Sequence, residues 1–181
     1  GMSVVEHSSL VRKFIQEVRK SIQSSYDKLP RILIYGNEID DIALIKLIED
    51  SGAHVVMDDL CTGSRTFWQD INFTNDPLDG IVEHYLNAIR CPRTYAPQSE
   101  TRQDDLENRL GYLHNFVNDF KVKGAILYII RYCDTYELEV PDVREYLKSQ
   151  GITALILEDE YSMTTIGQLR NRIQAFLEMI E

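Results

Sequence analysis

Four short apolar runs, each set off from the next by helix-patterned sequence, restrict this chain to a narrow set of architectures. They are Arg31-Ile-Leu-Ile-Tyr-Gly36, Ala53-His-Val-Val-Met-Asp-Asp59, Gly124-Ala-Ile-Leu-Tyr-Ile-Ile-Arg-Tyr-Cys-Asp134 and Thr153-Ala-Leu-Ile-Leu-Glu158. Continuous apolar runs of this length suit strands buried on both faces. Asp40 to Ser51, closed by Gly52, reads as a helix between the first two runs. That β-α-β unit of about 30 residues implies a parallel pair with a right-handed crossover. The expected fold is therefore α/β: a four-stranded, parallel, doubly wound sheet of flavodoxin-like type. The expected strand order is 2-1-3-4, with the switch point between the first and third strands.

The remaining patterns are helical. Leu10, Val11, Phe14, Ile15, Val18 and Ile22 fall at helical spacing, so a helix is expected from Leu10 to Tyr26 with Ser8 or Ser9 as its cap. Leu29-Pro30 breaks it, which divides the chain into an N-terminal helix, 1–29, and an α/β domain, 30–181. Further helices are expected from Asp76-Pro77 to Ile89, Arg102 to Phe120, Pro141 to Gln150 and Thr165 to Ile180. Cys91-Pro-Arg-Thr-Tyr-Ala-Pro97 is a rigid, turn-rich segment.

Composition excludes several partner classes. The net charge of −10 over 181 residues argues against nucleic acid, whose binding needs clustered Lys and Arg. No apolar run approaches the roughly 18 residues of a membrane span. No apolar stretch follows basic residues at the N-terminus, so no secretion signal is visible. Three widely spaced cysteines, Cys61, Cys91 and Cys133, suit a reducing compartment and point to the cytoplasm. There is no CxxC or HxxxH spacing for a self-contained zinc site, and no GxGxxG, GxxxxGK[ST] or GxSxG motif.

Chemistry is expected at the carboxyl ends of the strands, where open α/β sheets gather ligands. The exits are Gly36-Asn37-Glu38, Asp58 to Arg65, Cys133 to Tyr136 and Glu158 to Tyr161. Cys133 reads as the thiol that ends the third strand, able to bind a metal or cluster, or as a small buried apolar residue. Cys61 and Cys91 are weaker metal candidates. Arg65, beside Gly63-Ser64, can bind a phosphate or carboxylate bidentately, or pair with Asp58 or Asp59. Tyr132 and Tyr136 are read chiefly as core packing. Asp58, Asp59, Glu158, Asp159 and Glu160 are solvated strand-end acids, or ligands for Mg²⁺ in a phosphate-handling domain. His54, His84 and His114 lack ligand spacing, and Arg170 and Arg172 read as a solvated face.

In order along the chain stand Asp58-Asp-Leu-Cys-Thr-Gly-Ser-Arg65, Cys91-Pro-Arg93, Arg131-Tyr-Cys-Asp134, Gly151-Ile-Thr-Ala-Leu-Ile-Leu-Glu-Asp159 and Gly167-Gln-Leu-Arg-Asn-Arg-Ile-Gln-Ala-Phe-Leu-Glu178. This series resembles the C-terminal half of the 2-hydroxyacyl-CoA dehydratase D-component family, which includes benzoyl-CoA reductase subunits. The resemblance runs from about Pro30 to Ile180. It implies a subunit normally twice this long, with two α/β halves and an oxygen-sensitive iron–sulfur cluster, usually [4Fe-4S]. It also implies an acyl-CoA substrate, a second subunit and an ATP-dependent activator protein that injects an electron. The chemistry implied is a lyase dehydration or a ring-reducing oxidoreductase reaction. Family cluster cysteines come mostly from the N-terminal half, with one at the Tyr-Cys-Asp position, which Cys133 matches. Ser64, Arg65 and Tyr132 are the cofactor- and CoA-binding candidates. The chain lacks that N-terminal half. It therefore reads as a fragment, as a short chain completed by a complementary N-terminal chain, or as a scaffold without a cluster. Alone it is expected to be inactive. A non-catalytic binding or assembly module with the same fold is the alternative.

Overall fold

The computed structural model describes residues 1–20, 28–89, 91, 94, 95, 97, 99–160 and 166–180. The expected extension of the first helix to Tyr26, the Pro92-Arg93 part of the turn-rich segment, Tyr161 and Thr165 lie outside the described residues.

The first strand, β1 (Arg31–Gly36), pairs in parallel with β2 (His54–Leu60) on one side and with β3 (Gly124–Ile130) on the other. β3 in turn pairs in parallel with β4 (Thr153–Asp159). The order β2-β1-β3-β4 is the one that the run spacing predicts. Alternate residues of each strand face opposite sides. Leu33, Tyr35, Ala125, Leu127 and Ile129 pack with helices α4 (Arg102–Leu110), α5 (Tyr112–Asp119) and α6 (Asp134–Ser149). Ile32, Ile34, Ile126, Tyr128 and Leu157 pack with α2 (Ala43–Asp50) and α7 (Ile166–Ile180). Helices therefore cover both faces, as the apolar character of all four strands requires.

Several boundaries differ from expectation. The N-terminal helix α1 (Val4–Lys20) starts earlier, because Ser3 and Glu6 form a reciprocal capping box. Ser8 and Ser9 lie inside it and cap nothing. The helix expected over Asp76 to Ile89 is α3 (Pro77–Glu83), capped by Asp76, followed by a π-turn at His84–Ala88. The helix expected over Arg102 to Phe120 is broken at Gly111, where a Cβ would sit 2.5 Å from the Glu107 carbonyl oxygen. The break turns Tyr112 toward β2. Helix α6 begins at Asp134 rather than Pro141 and holds Pro141 in its interior. Burial of Tyr136, Val140, Val143, Tyr146 and Leu147 on the sheet outweighs the roughly 3 kcal/mol that an interior proline costs. β3 ends at Ile130, so Cys133 is not the last residue of a buried strand. It is the N-cap residue of α6.

Candidate functional site

The site lies at the carboxyl edge of the sheet, where β1 and β3 run side by side while their crossovers leave in opposite directions. At the end of β1, Gly36 takes φ +149°, and a Cβ there would fall 1.9 Å from the Tyr128 carbonyl oxygen. Only glycine lets β1 lie this close to β3 at its exit. The next residue, Asn37, is buried. Its Oδ1 accepts from the Ile130 N–H at 2.9 Å, and its Nδ2 donates to Cys133 Sγ at 3.1 Å. One carboxamide thus ties the ends of both strands to the thiol.

Cys133 is itself held by local geometry. Its N–H donates to the Ile130 carbonyl at 3.0 Å, and its carbonyl accepts from the N–H groups of Tyr136 and Glu137. Tyr132 takes φ +69°, and Glu137 Oε1 accepts its N–H at 3.1 Å. The tight turn aims the sulfur at Asn37 and swings the Tyr132 ring outward. Tyr132 is 83% exposed, which corrects the expectation that it packs in the core. The N-terminus of α6 and the Asn37 amide both favour negative charge on this sulfur.

The β2 exit carries a buried polar chain. Arg65 and Asp59 are almost wholly buried, and Arg65 Nε donates to Asp59 Oδ1 at 2.7 Å. Arg65 Nη2 donates to the Asp59 carbonyl at 2.7 Å, and Nη1 donates to Tyr136 Oη at 2.6 Å. Tyr112 Oη donates to Asp59 Oδ2 at 2.6 Å. Tyr136 Oη lies 2.9 Å from Cys61 Sγ. Because the guanidinium is always a donor, the tyrosine's own proton is left for the sulfur. Burial opposes the Arg65 charge, but the adjacent Asp59 carboxylate outweighs it and holds the guanidinium well above its ordinary pKa. Burial pushes Tyr136 up to about 12 against the opposing pull of Arg65. Burial, with Asp59 adding to it, raises Tyr112 and Tyr35 well above the ordinary tyrosine value. Among the described residues the Tyr35 hydroxyl is buried without a hydrogen-bond partner, and Arg65 stacks over its ring at 5.4 Å.

The loop of residues 61–66 is fixed by Asp58, which accepts from the Ser64 N–H at 2.8 Å and the Ser64 hydroxyl at 2.6 Å. Of the other strand-end acids, Glu158 and Glu160 both pair with Arg131. The acids proposed for Mg²⁺ are thus spread over separate ion pairs and caps. Asp159 lines a cavity of about 280 Å³ with Asp40, Asp41 and Tyr128, beside the β1–β3 switch point.

Cys61 and Cys133 share one sheet edge, as their strand exits predict. Cys91 lies apart, lining a different cavity with Leu86, Tyr95, Asn108 and Arg109. Among the described residues no group of three or more His, Cys, Asp or Glu converges as a metal set. A [4Fe-4S] cluster takes three or four thiolates. The described residues therefore do not complete a cluster site by themselves. No helix among them is long and apolar enough to cross a membrane. Sequence reasoning missed Asn37 as a cysteine partner and Tyr112 as an Asp59 partner. The position of Asn37 at a strand exit was the available signal; Tyr112 offered none beyond following Gly111.

Comparison with known proteins fits this geometry into a family. The chain is 32% identical over 157 residues to YjiM of Escherichia coli (strain K12), which carries a dehydratase-subunit name, covering 85% of this chain and 38% of that protein. It is 26% identical over 179 residues to the (R)-phenyllactyl-CoA dehydratase beta subunit of Clostridium sporogenes, covering 99% and 45%. It is 22% identical over 183 residues to one of the benzoyl-CoA reductase subunits of Thauera aromatica, again covering 99% and 45%. The chain thus spans less than half the length of these relatives. The profile described as "2-hydroxyglutaryl-CoA dehydratase, D-component" matches residues 2–180, including α1, and the chain belongs to that family.

Proposed function

We propose that this chain is one half of a cytoplasmic 2-hydroxyacyl-CoA dehydratase or benzoyl-CoA reductase-like subunit. It supplies a single cluster thiolate, Cys133, one wall of an acyl-CoA cleft and a subunit interface. The remaining thiolates come from a complementary N-terminal half or a second subunit, and an ATP-dependent activator delivers the electron. The observation that carries this reading is the 3.1 Å bond from Asn37 Nδ2 to Cys133 Sγ at the sheet's switch point. A buried amide donor and a helix N-terminus aimed at one sulfur are what a ligating thiolate needs. When bound, the cluster would supply one-electron redox chemistry; the chain's own residues hold the thiolate and shape its surroundings. Exposed Tyr132 borders the cleft. Ser64 and Arg65 hold the loop of residues 61–66 that forms its other side.

The relatives' names support the same reading. The phenyllactyl-CoA and benzoyl-CoA proteins are named as subunits of enzymes that act on CoA thioesters. The test is a chimera in which this chain replaces the matching part of the Clostridium sporogenes beta subunit. Anaerobic reconstitution with iron and sulfide should yield a stoichiometric cluster in the chimera and only substoichiometric iron on this chain alone. Cys133→Ala should abolish the chimera's cluster while Cys91→Ala leaves it. Iron retained in the chimera after Cys133→Ala would rule the assignment out. A second reading, a non-catalytic assembly module, draws on the engagement of Cys61 with Tyr136 and the lack of a convergent ligand set among the described residues. It predicts no cluster in either protein.

A further inference from the structure

A small cavity lies beside the buried Arg65–Asp59 pair, and its lining selects one kind of ligand. Its volume is about 60 Å³, room for a few water molecules or one small polar group. Asp59 is the penultimate residue of β2 and Tyr112 opens α5, so the cavity belongs to the carboxyl edge of the sheet. Its buried end is Asp59, Arg65 and Tyr112. Trp68 and Phe116 form an aromatic wall, edge to face with ring centroids 5.0 Å apart. Gln69 and Asn115 are exposed and stand at the mouth. Neither carboxamide has a hydrogen-bond partner among the described residues. Arg65 spends three of its five N–H groups on Asp59 and Tyr136. Each Asp59 carboxylate oxygen accepts one side-chain hydrogen bond and keeps a second lone pair.

Elimination narrows the occupant. The lining carries one carboxylate and one guanidinium, already paired with each other. An anion entering it meets the Asp59 carboxylate, and a cation meets the Arg65 guanidinium, where burial leaves either repulsion strong. An apolar group leaves the unused Arg65 N–H groups desolvated. What remains is a neutral group that both donates and accepts. A hydroxyl does so at one atom. An amide does so at two, and its flat face suits an aromatic wall. The mouth carboxamides add a second donor and acceptor set for whatever leads into the cavity. We propose that this cavity binds a neutral secondary amide, and that the pantetheine arm of the acyl-CoA supplies it. The source of the amide rests on the acyl-CoA reading above; the amide chemistry rests on the cavity alone. The arm carries two secondary amides separated by methylene groups, so one amide enters while the adjoining chain lies along Trp68.

Trp68 is the one tryptophan in the chain, so its emission reports directly on the cavity. The experiment is a fluorescence titration of the full chain with S-methylpantetheine, which carries the arm without a free thiol. The expected result is a saturable change that N-methylacetamide competes away and that acetate, methylammonium and propanol, at matched ionic strength, do not. Gln69→Ala and Asn115→Ala should each weaken binding by about fivefold, the loss of one hydrogen bond. Both positions are exposed, so the urea midpoint should not move. Asn108→Ala, in the separate cavity beside Cys91, should leave the affinity unchanged. No saturable change overturns the proposal. So does equal competition by acetate, methylammonium or propanol, or an affinity indifferent to Gln69→Ala and Asn115→Ala. Cluster formation in the chimera reads the subunit assignment separately. A cluster without pantetheine binding sinks this proposal and leaves that assignment standing; pantetheine binding without a cluster upholds the amide site and removes the dehydratase chemistry.

Discussion

Asn37 donates from its carboxamide to Cys133 Sγ at 3.1 Å while accepting the Ile130 N–H at 2.9 Å. A single buried side chain therefore joins the ends of β1 and β3 to the Cys133 thiol. Asn37→Ala removes both bonds and leaves the Ile130 N–H buried without a partner. It should cost about 1–3 kcal/mol in urea denaturation. Asn37→Asp keeps the acceptor for Ile130 but replaces the donor to sulfur with a negative oxygen. Alkylation of Cys133 should then slow, because charge on the sulfur is disfavoured. Unchanged alkylation in Asn37→Asp would show that the amide does not act on the thiol.

The Arg65–Asp59 pair should be the most sensitive polar contact in the chain. Arg65→Ala leaves the Asp59 carboxylate buried, with Tyr112 as its remaining side-chain donor among the described residues. The expected loss is about 3–5 kcal/mol, the usual cost of breaking a buried pair from one side. Tyr136→Phe removes only the hydroxyl that bridges Arg65 and Cys61, and should cost about 1 kcal/mol. That variant should also slow the alkylation of Cys61, whose sulfur loses a hydrogen-bond donor, as Asn37→Asp slows that of Cys133. Urea titration and thiol labelling read both effects.

The sheet was legible because its signal is local. Each strand is a short apolar run closed by a polar residue or glycine, and parallel pairing with helices between follows from spacing alone. Strand order and the shared edge of Cys61 and Cys133 came with it. What escaped depends on contacts distant in sequence. Asn37 meets Cys133 across 96 residues, and Tyr112 meets Asp59 across 53, so no local pattern announces either. The interior position of Pro141 escaped for a related reason: its local penalty is overruled by burial of the helix face on the sheet. The motif series did mark the family, chiefly through the loop of residues 58–65 and the helix of residues 167–178 in one chain, a combination that composition and periodicity do not dictate.

Gly36 should not tolerate a side chain. At φ +149° an L-residue is strained, and a Cβ would stand 1.9 Å from the Tyr128 carbonyl oxygen. That oxygen also accepts the Asn37 N–H at 3.2 Å, so any relief by strand separation disturbs the residue that holds Cys133. Gly36→Ala should destabilise by about 3 kcal/mol or more, through overpacking that backbone cannot relieve. Gly151, with φ +77° and no atom within 4 Å of a Cβ, is the control. Gly151→Ala should cost only the strain of positive φ, about 1 kcal/mol.

Alkaline stability tests the buried hydroxyls together. Tyr136 is pushed up to about 12 by burial, with Arg65 opposing. Tyr146 is also pushed up to about 12, by burial and then by its hydrogen bond to Glu107. In the unfolded chain both titrate near the ordinary 10.0. The folded state therefore holds these protons more tightly than the unfolded state. Between the two values an unfolded tyrosine has lost its proton and a folded one has not, so ionisation pulls the equilibrium toward unfolding. The stability these groups contribute is fully present below pH 10.0 and is lost as pH rises through about 12. Denaturation midpoints should fall across that window, and the tyrosinate absorbance that Tyr136→Phe and Tyr146→Phe remove should appear only as the chain unfolds. Tyr136→Phe and Tyr146→Phe should each flatten the decline while lowering stability at neutral pH. Tyrosinate absorbance from these two residues in the still-folded chain near pH 10.0 would mean that the hydroxyls are reached by solvent and that the polar chain from Asp59 to Cys61 is open.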